Sequence, residues 1–317
     1  MSSVAAIGDI NEDLLMEVDR LPGPDLQVVA RRATPSGGGS AANFAAACAR
    51  LGLTTSLYAA LGDDHRGRWL RDLVAGMGVD ARGVQVLAEV PTGVTVSLSH
   101  GGLRTMFSYP GTNLDYVGEG FEATTVKVEW VHITSYFLLH GLRPRMVEAA
   151  RTLARRGVRV SFDPGWHHGD LTAADLLRLN EILPYLELFT PNLREARAYL
   201  AAPRAGAARL ARLGVEAGAK VCCVHLGAGG CATCEGDEVV EVPAFRVPVV
   251  ESTGAGDVFA AGFAAARLAG RCLEKSTRHA CAAAALSLRG PGWDAYPAAV
   301  DVEAMLSGRV PRGGDDR

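Results

Sequence analysis

A glycine-rich turn late in the chain holds the residues best suited to chemistry. Gly254, Ala255 and Gly256 precede Asp257, and an apolar run from Val258 to Leu268 follows and predicts a helix. The first N–H groups of a helix lack internal partners and its dipole makes that end positive, so the turn predicts an anion site suited to phosphate. A carboxylate beside such a site can accept the proton of a hydroxyl group that receives a phosphoryl group. A plain helix start with an acid in its first turn would show the same residues.

Strands and helices alternate through most of the chain, which predicts parallel strands joined by right-handed crossovers. The predicted core strands are 4–8, 54–61, 128–137, 158–162, 221–226 and, leading into the glycine turn, Val247 to Val250. The helices predicted outside the turn include 40–51, 143–156, 173–183 and 274–289. Short strand-like runs at 14–18, 27–32, 94–98 and 104–109 are candidates for a small accessory sheet. A chain of 317 residues can bury a large core in one large α/β domain or two smaller ones.

Polar residues follow the first predicted strand. Asn11 and Asp13 lie where the strand ends, and open α/β sheets bind ligands at the carboxyl ends of their strands. A turn capped by short polar side chains would have the same composition. The residues are therefore candidates for ligand contact, and the choice depends on the rest of the chain.

A second glycine run precedes an early helix. Gly38 and Gly39 allow a tight turn and a close approach of a ligand to the backbone, and Ser40 can cap the helix that contains Asn43. A flexible linker before an ordinary helix is the alternative. Neither the dinucleotide-binding glycine pattern nor the phosphate-binding loop with its lysine occurs in the chain, so both of those nucleotide sites are excluded.

Charge and composition exclude several classes of protein. The net charge is −3 with acids and bases interspersed, which gives no electrostatic case for nucleic acid or an anionic membrane. No apolar run is long enough to span a membrane and the N-terminus lacks a signal-peptide pattern, so we expect a soluble, cytoplasmic protein. Seven cysteines are scattered along the chain, and Cys231 and Cys234 lack the second pair that a zinc site would need.

The combination of these stretches resembles the PfkB, or ribokinase-like, carbohydrate kinases. The sequence T-G-A-G-D before the late apolar helix resembles the C-terminal signature of that family, and further matches run from residue 4 to about residue 297. The resemblance implies one α/β domain over 1–312, with a mainly parallel central sheet flanked by helices on both faces. It also implies a small β lid formed by about 13–34 and 91–113. We expect 313–317 to be a disordered tail.

The resemblance also implies roles for particular residues. Asp257 would be the general base, and the amides of Gly254, Ala255 and Gly256 would hold the developing charge. The acceptor sugar would contact Asn11, Asp13, Gly38, Gly39 and Asn43, and Arg104 could reach the acceptor or the transferring phosphate, although a solvated arginine would fit equally well. The nucleotide side would comprise Asn192, Glu195, Gly227, Gly230 and Cys281, with Glu195 supporting Mg²⁺ through water.

Two departures from the family pattern affect these expectations. Glu251 stands where the family usually has Asp, and that acid together with Thr253 helps to seat a monovalent cation, so K⁺ binding is left open. His225 stands two residues before Gly227, where a small hydroxyl residue is usual, so one phosphate contact is also left open.

These observations predict ATP- and Mg²⁺-dependent phosphorylation of a hydroxyl group on a sugar or similar small molecule. One alternative is a nucleoside kinase with the base stacked on Phe107 or Tyr109, and another is a catalytically silent ligand-binding protein on the same fold. A sugar-phosphate acceptor would need a cluster of basic residues, and only Arg104 is a candidate. The family resemblance also suggests a homodimer through the lid.

Overall fold

The computed structural model of the chain describes residues 2–100, 103–123, 125–165 and 171–309. The predicted tail, 313–317, lies outside the described residues. Among the residues described, no helix is both long enough and apolar enough to cross a membrane.

A nine-stranded sheet forms the centre of the molecule. Its strands are β1 (Ser3–Ile7), β4 (Thr54–Gly62), β5 (Asp80–Leu87), β8 (Trp130–Thr134), β9 (Arg159–Asp163), β10 (Leu188–Phe189), β11 (Val221–His225), β12 (Cys231–Glu235) and β13 (Glu238–Val242). The order across the sheet is β13-β12-β11-β10-β9-β8-β1-β4-β5. All pairs from β5 to β11 are parallel, and β12 and β13 extend the sheet as an antiparallel edge. The mainly parallel sheet confirms the predicted fold class.

Helices cover both faces of this sheet. They are α1 (Ser40–Arg50), α2 (His65–Gly76), α3 (Thr112–Asp115), α4 (Arg143–Arg155), α5 (Ala173–Ile182), α6 (Leu193–Tyr199), α7 (Ala207–Glu216), α8 (Ala255–Leu268), α9 (Leu273–Ser287) and α10 (Ala299–Leu306). Side chains alternate along a strand, and β1 shows the result: Val4 and Ala6 pack into one core while Ala5 and Ile7 pack into the other. Helices α1, α8 and α9 contribute to the first core and α4, α5 and α7 to the second.

A separate four-stranded sheet lies beside the central one. It consists of β2 (Asn11–Glu17), β3 (Arg32–Gly38), β6 (Val94–His100) and β7 (Leu103–Tyr109), in the order β3-β2-β6-β7. The pairs β2–β3 and β6–β7 are antiparallel, whereas β2 and β6 are parallel. This small sheet brings together the two parts of the chain that were predicted to form the lid.

The strand register gives the small sheet two distinct faces. Asp13 pairs with Thr95, and Thr95 pairs with Ser108, so Asp13 and Ser108 share one face, and Arg104 joins them because side chains alternate along β7. We call this the inner face. The opposite, outer face carries the apolar side chains Leu14, Met16, Val94, Val96, Leu98, Phe107 and Tyr109.

Three local expectations were wrong. Val247 to Val250 forms no strand, because Pro248 interrupts the run and cannot donate to a ladder, and Val249 and Val250 are exposed. The strand expected at 27–32 begins only at Arg32 and continues to Gly38. Ser40 is the first residue of α1 and not its cap; the N-cap is Gly39, whose φ of 92° favours glycine.

Candidate active site

The turn before α8 places a buried carboxylate at the positive end of a helix. Gly254 is the N-cap and has φ 77°, a left-handed conformation that glycine adopts without strain. Asp257 lies in the first turn of α8 with only 6% of its surface exposed. Burial raises the pKa of Asp257 well above its ordinary value, and the nearby Asp163 raises it further. The predicted anion site and the predicted base thus occupy one helical turn.

A hydrogen-bonded chain of three side chains holds Asp257. Its Oδ2 accepts from Asn43 Nδ2 at 2.8 Å, and Asn43 Oδ1 accepts from Trp293 Nε1 at 2.7 Å. All three side chains are buried. Both ends of the Asn43 amide are therefore fixed, and its NH₂ group is directed at the carboxylate. Asn43 comes from α1 and Asp257 from α8, which pack against each other in the first core.

The space beside Gly254 is filled by Tyr296. A Cβ atom on Gly254 would lie 2.5 Å from the Tyr296 hydroxyl and 3.0 Å from Asn43 Nδ2. The phenol lies close enough to Asp257 and Asp13 that both carboxylates, after burial itself, raise its pKa. Tyr296 therefore stands where the α8 turn meets the inner face of the small sheet.

The inner face of the small sheet presents the predicted acceptor residues. Asp13 is 6% exposed and its carboxylate accepts a hydrogen bond from the Asn11 amide. Burial raises the pKa of Asp13 to about 7, and the charge of Asp9 adds to the shift. A Cβ atom on Gly38 would lie only 2.2 Å from the Asp13 carboxylate carbon, so a side chain there would displace the carboxylate. These contacts bring Asn11, Asp13 and Gly38 together.

A second set of acids lies at the carboxyl ends of β9 and β10. Asn192 caps α6, and its Oδ1 accepts from Glu195 N at 3.0 Å, while Glu195 Oε2 accepts from Asn192 N at 2.9 Å. Burial raises the pKa of Glu195 to about 8, and the charge of Asp163 contributes. Asp163 also raises the pKa of Asp257, so its charge acts on both predicted regions.

These acids fit a magnesium ion that is held through water molecules. Carboxylates that raise one another's pKa are stabilised by a nearby dication, and Mg²⁺ prefers oxygen ligands while retaining several waters. The described part of the chain holds no group of three or more His, Cys, Asp or Glu side chains placed to ligate a metal directly. A site of water- and substrate-mediated contacts is consistent with that donor set.

A cavity of about 540 Å³ adjoins the α8 turn, and Asn43 is not among its lining residues. Ala255 and Gly256 line it from α8, Cys281 lines it from α9, and Gly227 and Gly230 line it from the turn after β11. The extended segment that replaces the predicted strand contributes a further wall, made by Ala244, Phe245, Arg246, Val247 and Val249. The volume and apolar lining of the cavity are typical of a site for a flat organic group.

His225 lies at the floor of this cavity. Its ring packs edge-on against Phe259 with centroids 4.5 Å apart, and burial lowers its pKa, so the ring is neutral. Its Nε2 atom is buried and makes no hydrogen bond within the described part of the chain. Beside it, the Cys231 and Cys281 sulfurs lie 3.5 Å apart.

The two residues predicted to seat a monovalent cation are engaged by an arginine. Glu251 Oε1 accepts from Thr253 N at 2.9 Å and from Thr253 Oγ1 at 2.7 Å. Arg104 Nη1 donates to the same Glu251 oxygen at 3.2 Å and also to Thr253 Oγ1. Arg104 thus reaches from β7 to the loop before the α8 turn.

Sequence reasoning missed three residues of this site. Trp293 and Tyr296 follow α9 in a segment without a recognisable motif, and they reach the site from far along the chain. Asp9 was passed over beside Asn11; its Oδ1 accepts from Ser135 Oγ at 2.6 Å, and its charge raises the pKa of Asp13. An acid directly after a buried first strand was the only signal that could have indicated Asp9.

Solved structures with this fold define the class of the protein first. The chain superposes on ribokinase from Arabidopsis thaliana, a structure complexed with ribose and ATP, with a TM-score of 0.79 and 24% identity, covering 96% of this chain and 99% of that one. The architecture is therefore the ribokinase fold, as the resemblance implied.

The sequence then gives the family. The family model described as pfkB family carbohydrate kinase matches residues 1–298, and the chain belongs to this family. An ATP-dependent ribose-1-phosphate kinase from Halopiger xanaduensis is 33% identical over 318 residues, covering 98% of this chain and 99% of the relative. A nucleoside kinase from Methanothermobacter thermautotrophicus is 28% identical over 290 residues, covering 90% and 89%. Sugar and nucleoside kinases are phosphotransferases with an alcohol group as acceptor, which confirms the predicted class of enzyme.

Proposed function

We propose that this protein transfers the γ-phosphoryl group of ATP to a hydroxyl group of a sugar. The proposal rests on one observation: the first turn of α8 borders both the cavity beside α8 and the predicted acceptor side. Ala255 and Gly256 line the cavity beside α8, while Asp257 in the same turn contacts Asn43 on the acceptor side. A phosphoryl group held at that turn would stand between the donor cavity and a bound hydroxyl group.

The residues of the turn would carry the chemistry. Asp257 would accept the hydroxyl proton through the oxygen not held by Asn43, and its raised pKa makes it a stronger base than an ordinary carboxylate. The amides of Gly254, Ala255 and Gly256 would stabilise the charge that develops on the phosphoryl oxygens. When bound, Mg²⁺ would neutralise phosphate charge, with Asn192 and Glu195 supporting it through water.

The donor nucleotide would occupy the cavity beside α8. Gly227 and Gly230 offer backbone in its lining, and Cys281 lines it from α9. His225 replaces the hydroxyl residue usual at its position, and its neutral ring packs against Phe259 beneath the cavity. Adenine binding by apolar contact, without a polar side chain at position 281, fits this lining.

The acceptor would bind between the inner face of the small sheet and α1. Asn11, Asp13 and Asn43 supply carboxylate and amide groups that match sugar hydroxyls, and Gly38 leaves room for the Asp13 carboxylate beside the backbone. The abundance of acids there favours an uncharged acceptor. Arg104 borders this cleft and lowers the pKa of Asp13, so it remains the candidate contact for an acceptor that carries phosphate.

The strand register weakens the argument for a nucleoside acceptor. Phe107 and Tyr109, the candidates for stacking a base, lie on the outer face of the small sheet and are 62% and 50% exposed. The relative from Halopiger xanaduensis is named as a ribose-1-phosphate kinase and that from Methanothermobacter thermautotrophicus as a nucleoside kinase, so ribose 1-phosphate and nucleosides are the compounds to compare.

A panel of acceptors tests the proposal. ADP release would be followed for the purified protein with ATP and each of ribose, ribose 1-phosphate, other sugars and nucleosides, with and without Mg²⁺. We expect ADP formation that requires both Mg²⁺ and a sugar. Binding of ATP and sugar without turnover would favour the silent ligand-binding alternative.

We further propose that residues 1–312 act as one domain, with the small sheet as a lid whose outer face pairs with a second copy of the chain. That face is apolar, with Phe107 and Tyr109 exposed and the other apolar side chains half-buried, and exposed apolar patches mark interaction surfaces. Light scattering should give the mass of a dimer. Phe107→Asp should give a monomer, because it places a charge in the proposed interface. The variant should still fold, because the side chain at 107 is solvent-exposed in a single copy. A monomeric wild-type protein would refute this proposal.

A further inference from the structure

The loop before the α8 turn contains an internal ion pair that reaches across the cleft. Glu251 Oε1 accepts from four donors: Ser252 N at 2.8 Å, Thr253 N at 2.9 Å, Thr253 Oγ1 at 2.7 Å and Arg104 Nη1 at 3.2 Å. Arg104 also donates to Thr253 Oγ1, so its guanidinium contacts both side chains. The Arg104 and Glu251 side chains are 28% and 10% exposed, so water screens this pair only partly.

These contacts do not fit a monovalent cation. A cation would need the lone pairs of Glu251 and Thr253, but Glu251 Oε1 faces N–H and O–H donors, and the Thr253 hydroxyl oxygen accepts from Arg104. A second positive charge would also lie beside the guanidinium. The negative charge of the Glu251 carboxylate is already compensated, since its hydrogen bonds and Arg104 lower its pKa and keep it ionised.

We propose that Arg104 is the built-in cation of this loop and positions the α8 turn without a monovalent ion. Thr253 directly precedes Gly254, so holding its hydroxyl and amide fixes the start of the turn that carries Asp257. This inference rests on the proposed function for the role of that turn. Its structural part, replacement of an ion by a side chain, stands on the contacts alone.

The position of Arg104 on the lid gives the contact a second consequence. The residue lies on β7, on the inner face shared with Asp13, and its charge lowers the pKa of Asp13. The small sheet therefore brings one positive charge to both the acceptor side and the loop before the anion site. Arg104 is in this sense a positioning residue for the α8 turn.

The test compares K⁺ with tetramethylammonium at constant ionic strength. For the wild-type protein we expect the same melting temperature and the same kcat in both salts. For Arg104→Met we expect kcat to fall by up to about 10²-fold, because the turn is misplaced. In that variant K⁺ should restore part of kcat and raise the melting temperature by about 2 °C when it is in tenfold excess over its dissociation constant.

Matched variants separate this effect from general damage to the lid. Arg31→Met removes another ion pair of the same region, that with Asp19, and should gain no K⁺ dependence. Arg104→Lys keeps a charge and should stay K⁺-independent. A wild-type protein that K⁺ stabilises, or an Arg104→Met variant indifferent to K⁺, would overturn the inference. The melting experiment needs no turnover, so it tests the inference even if no acceptor is phosphorylated. The wild-type comparison needs no variant, so it tests the inference even if Arg104→Met does not fold.

Discussion

Replacing Gly254 with alanine should disrupt the site more than its small size suggests. Gly254 has φ 77°, and a non-glycine residue in that conformation costs about 1–2 kcal/mol. The added Cβ would lie 2.5 Å from the Tyr296 hydroxyl and 3.0 Å from Asn43 Nδ2, and relieving such overpacking costs about 1–3 kcal/mol more. The total loss of stability is then about 2–5 kcal/mol. Since Asn43 must move, its hydrogen bond to Asp257 is disturbed as well.

Gly270 provides a control within the same region of the chain. It follows the C-terminus of α8 with φ 76°, and a Cβ there would meet nothing within 4 Å. Gly270→Ala should therefore show the backbone cost alone, about 1–2 kcal/mol. For a chain of 317 residues each kcal/mol lowers the melting temperature by about 1.5 °C. We expect a decrease of about 1.5–3 °C for Gly270→Ala and about 3–7 °C for Gly254→Ala.

Thermal melting and ADP release together test this reasoning. Gly270→Ala should keep wild-type kcat, whereas Gly254→Ala should lose about 10²-fold, the effect expected when a catalytic group moves by about 1 Å. If both variants melt at the same temperature and Gly254→Ala turns over at the wild-type rate, the contacts around Gly254 do not fix the site and our account of the turn is wrong.

Three other predictions follow from the same contacts. Asp257→Asn should lower kcat by about 10²–10⁴-fold while calorimetry finds unchanged ATP affinity, and near-wild-type kcat would refute Asp257 as the base. Trp293→Phe leaves the buried Asn43 Oδ1 without its donor, so it should cost about 1–3 kcal/mol in urea unfolding and lower kcat; unchanged values would show the bond to be dispensable. The pKa of Asp13 is raised to about 7, so the folded state holds its proton longer than the unfolded state. The stability that this proton provides is complete below about pH 4 and is lost as the pH rises through about 7, by up to about 4 kcal/mol. Asp13→Asn should flatten this decline in melting temperature against pH, and an identical decline in both proteins would contradict the shift.

The sequence predicted those parts of the site that are local in the chain. The α8 turn is encoded within four residues, Gly254 to Asp257, because left-handed glycine and a first-turn acid need only their neighbours. The Asn192–Glu195 pair is likewise a capping box formed within one helical turn. Only the family resemblance led us to expect these two turns around one cleft. The spacing of residues along the sequence does not by itself place two helices side by side.

The sequence was least informative where a distant contact or a proline decides the structure. Residues Val247 to Val250 look like a strand by composition, but Pro248 cannot donate to a ladder, and the segment instead lines the donor cavity. Arg104 was predicted to reach the acceptor or the transferring phosphate, or to be solvated, and in the structure it pairs with Glu251 and Thr253, far along the chain. No local pattern predicts this partner, because it is set by how the small sheet lies against the loop before α8.

The segment after α9 shows why the site depends on such distant contacts. Gly292 has φ 65° and a Cβ there would lie 2.2 Å from Ser36 Oγ, while the Trp293 ring occupies the space where a side chain on Gly37 would be. Trp293 then fixes Asn43, and the Tyr296 hydroxyl fills the space beside Gly254. One short segment thus contacts the end of β3, the start of α1 and the start of α8. β3, α1 and α8 carry predicted acceptor contacts and the predicted base. The distance between acceptor and base is therefore set by Trp293 and Tyr296, which touch neither substrate in our proposal.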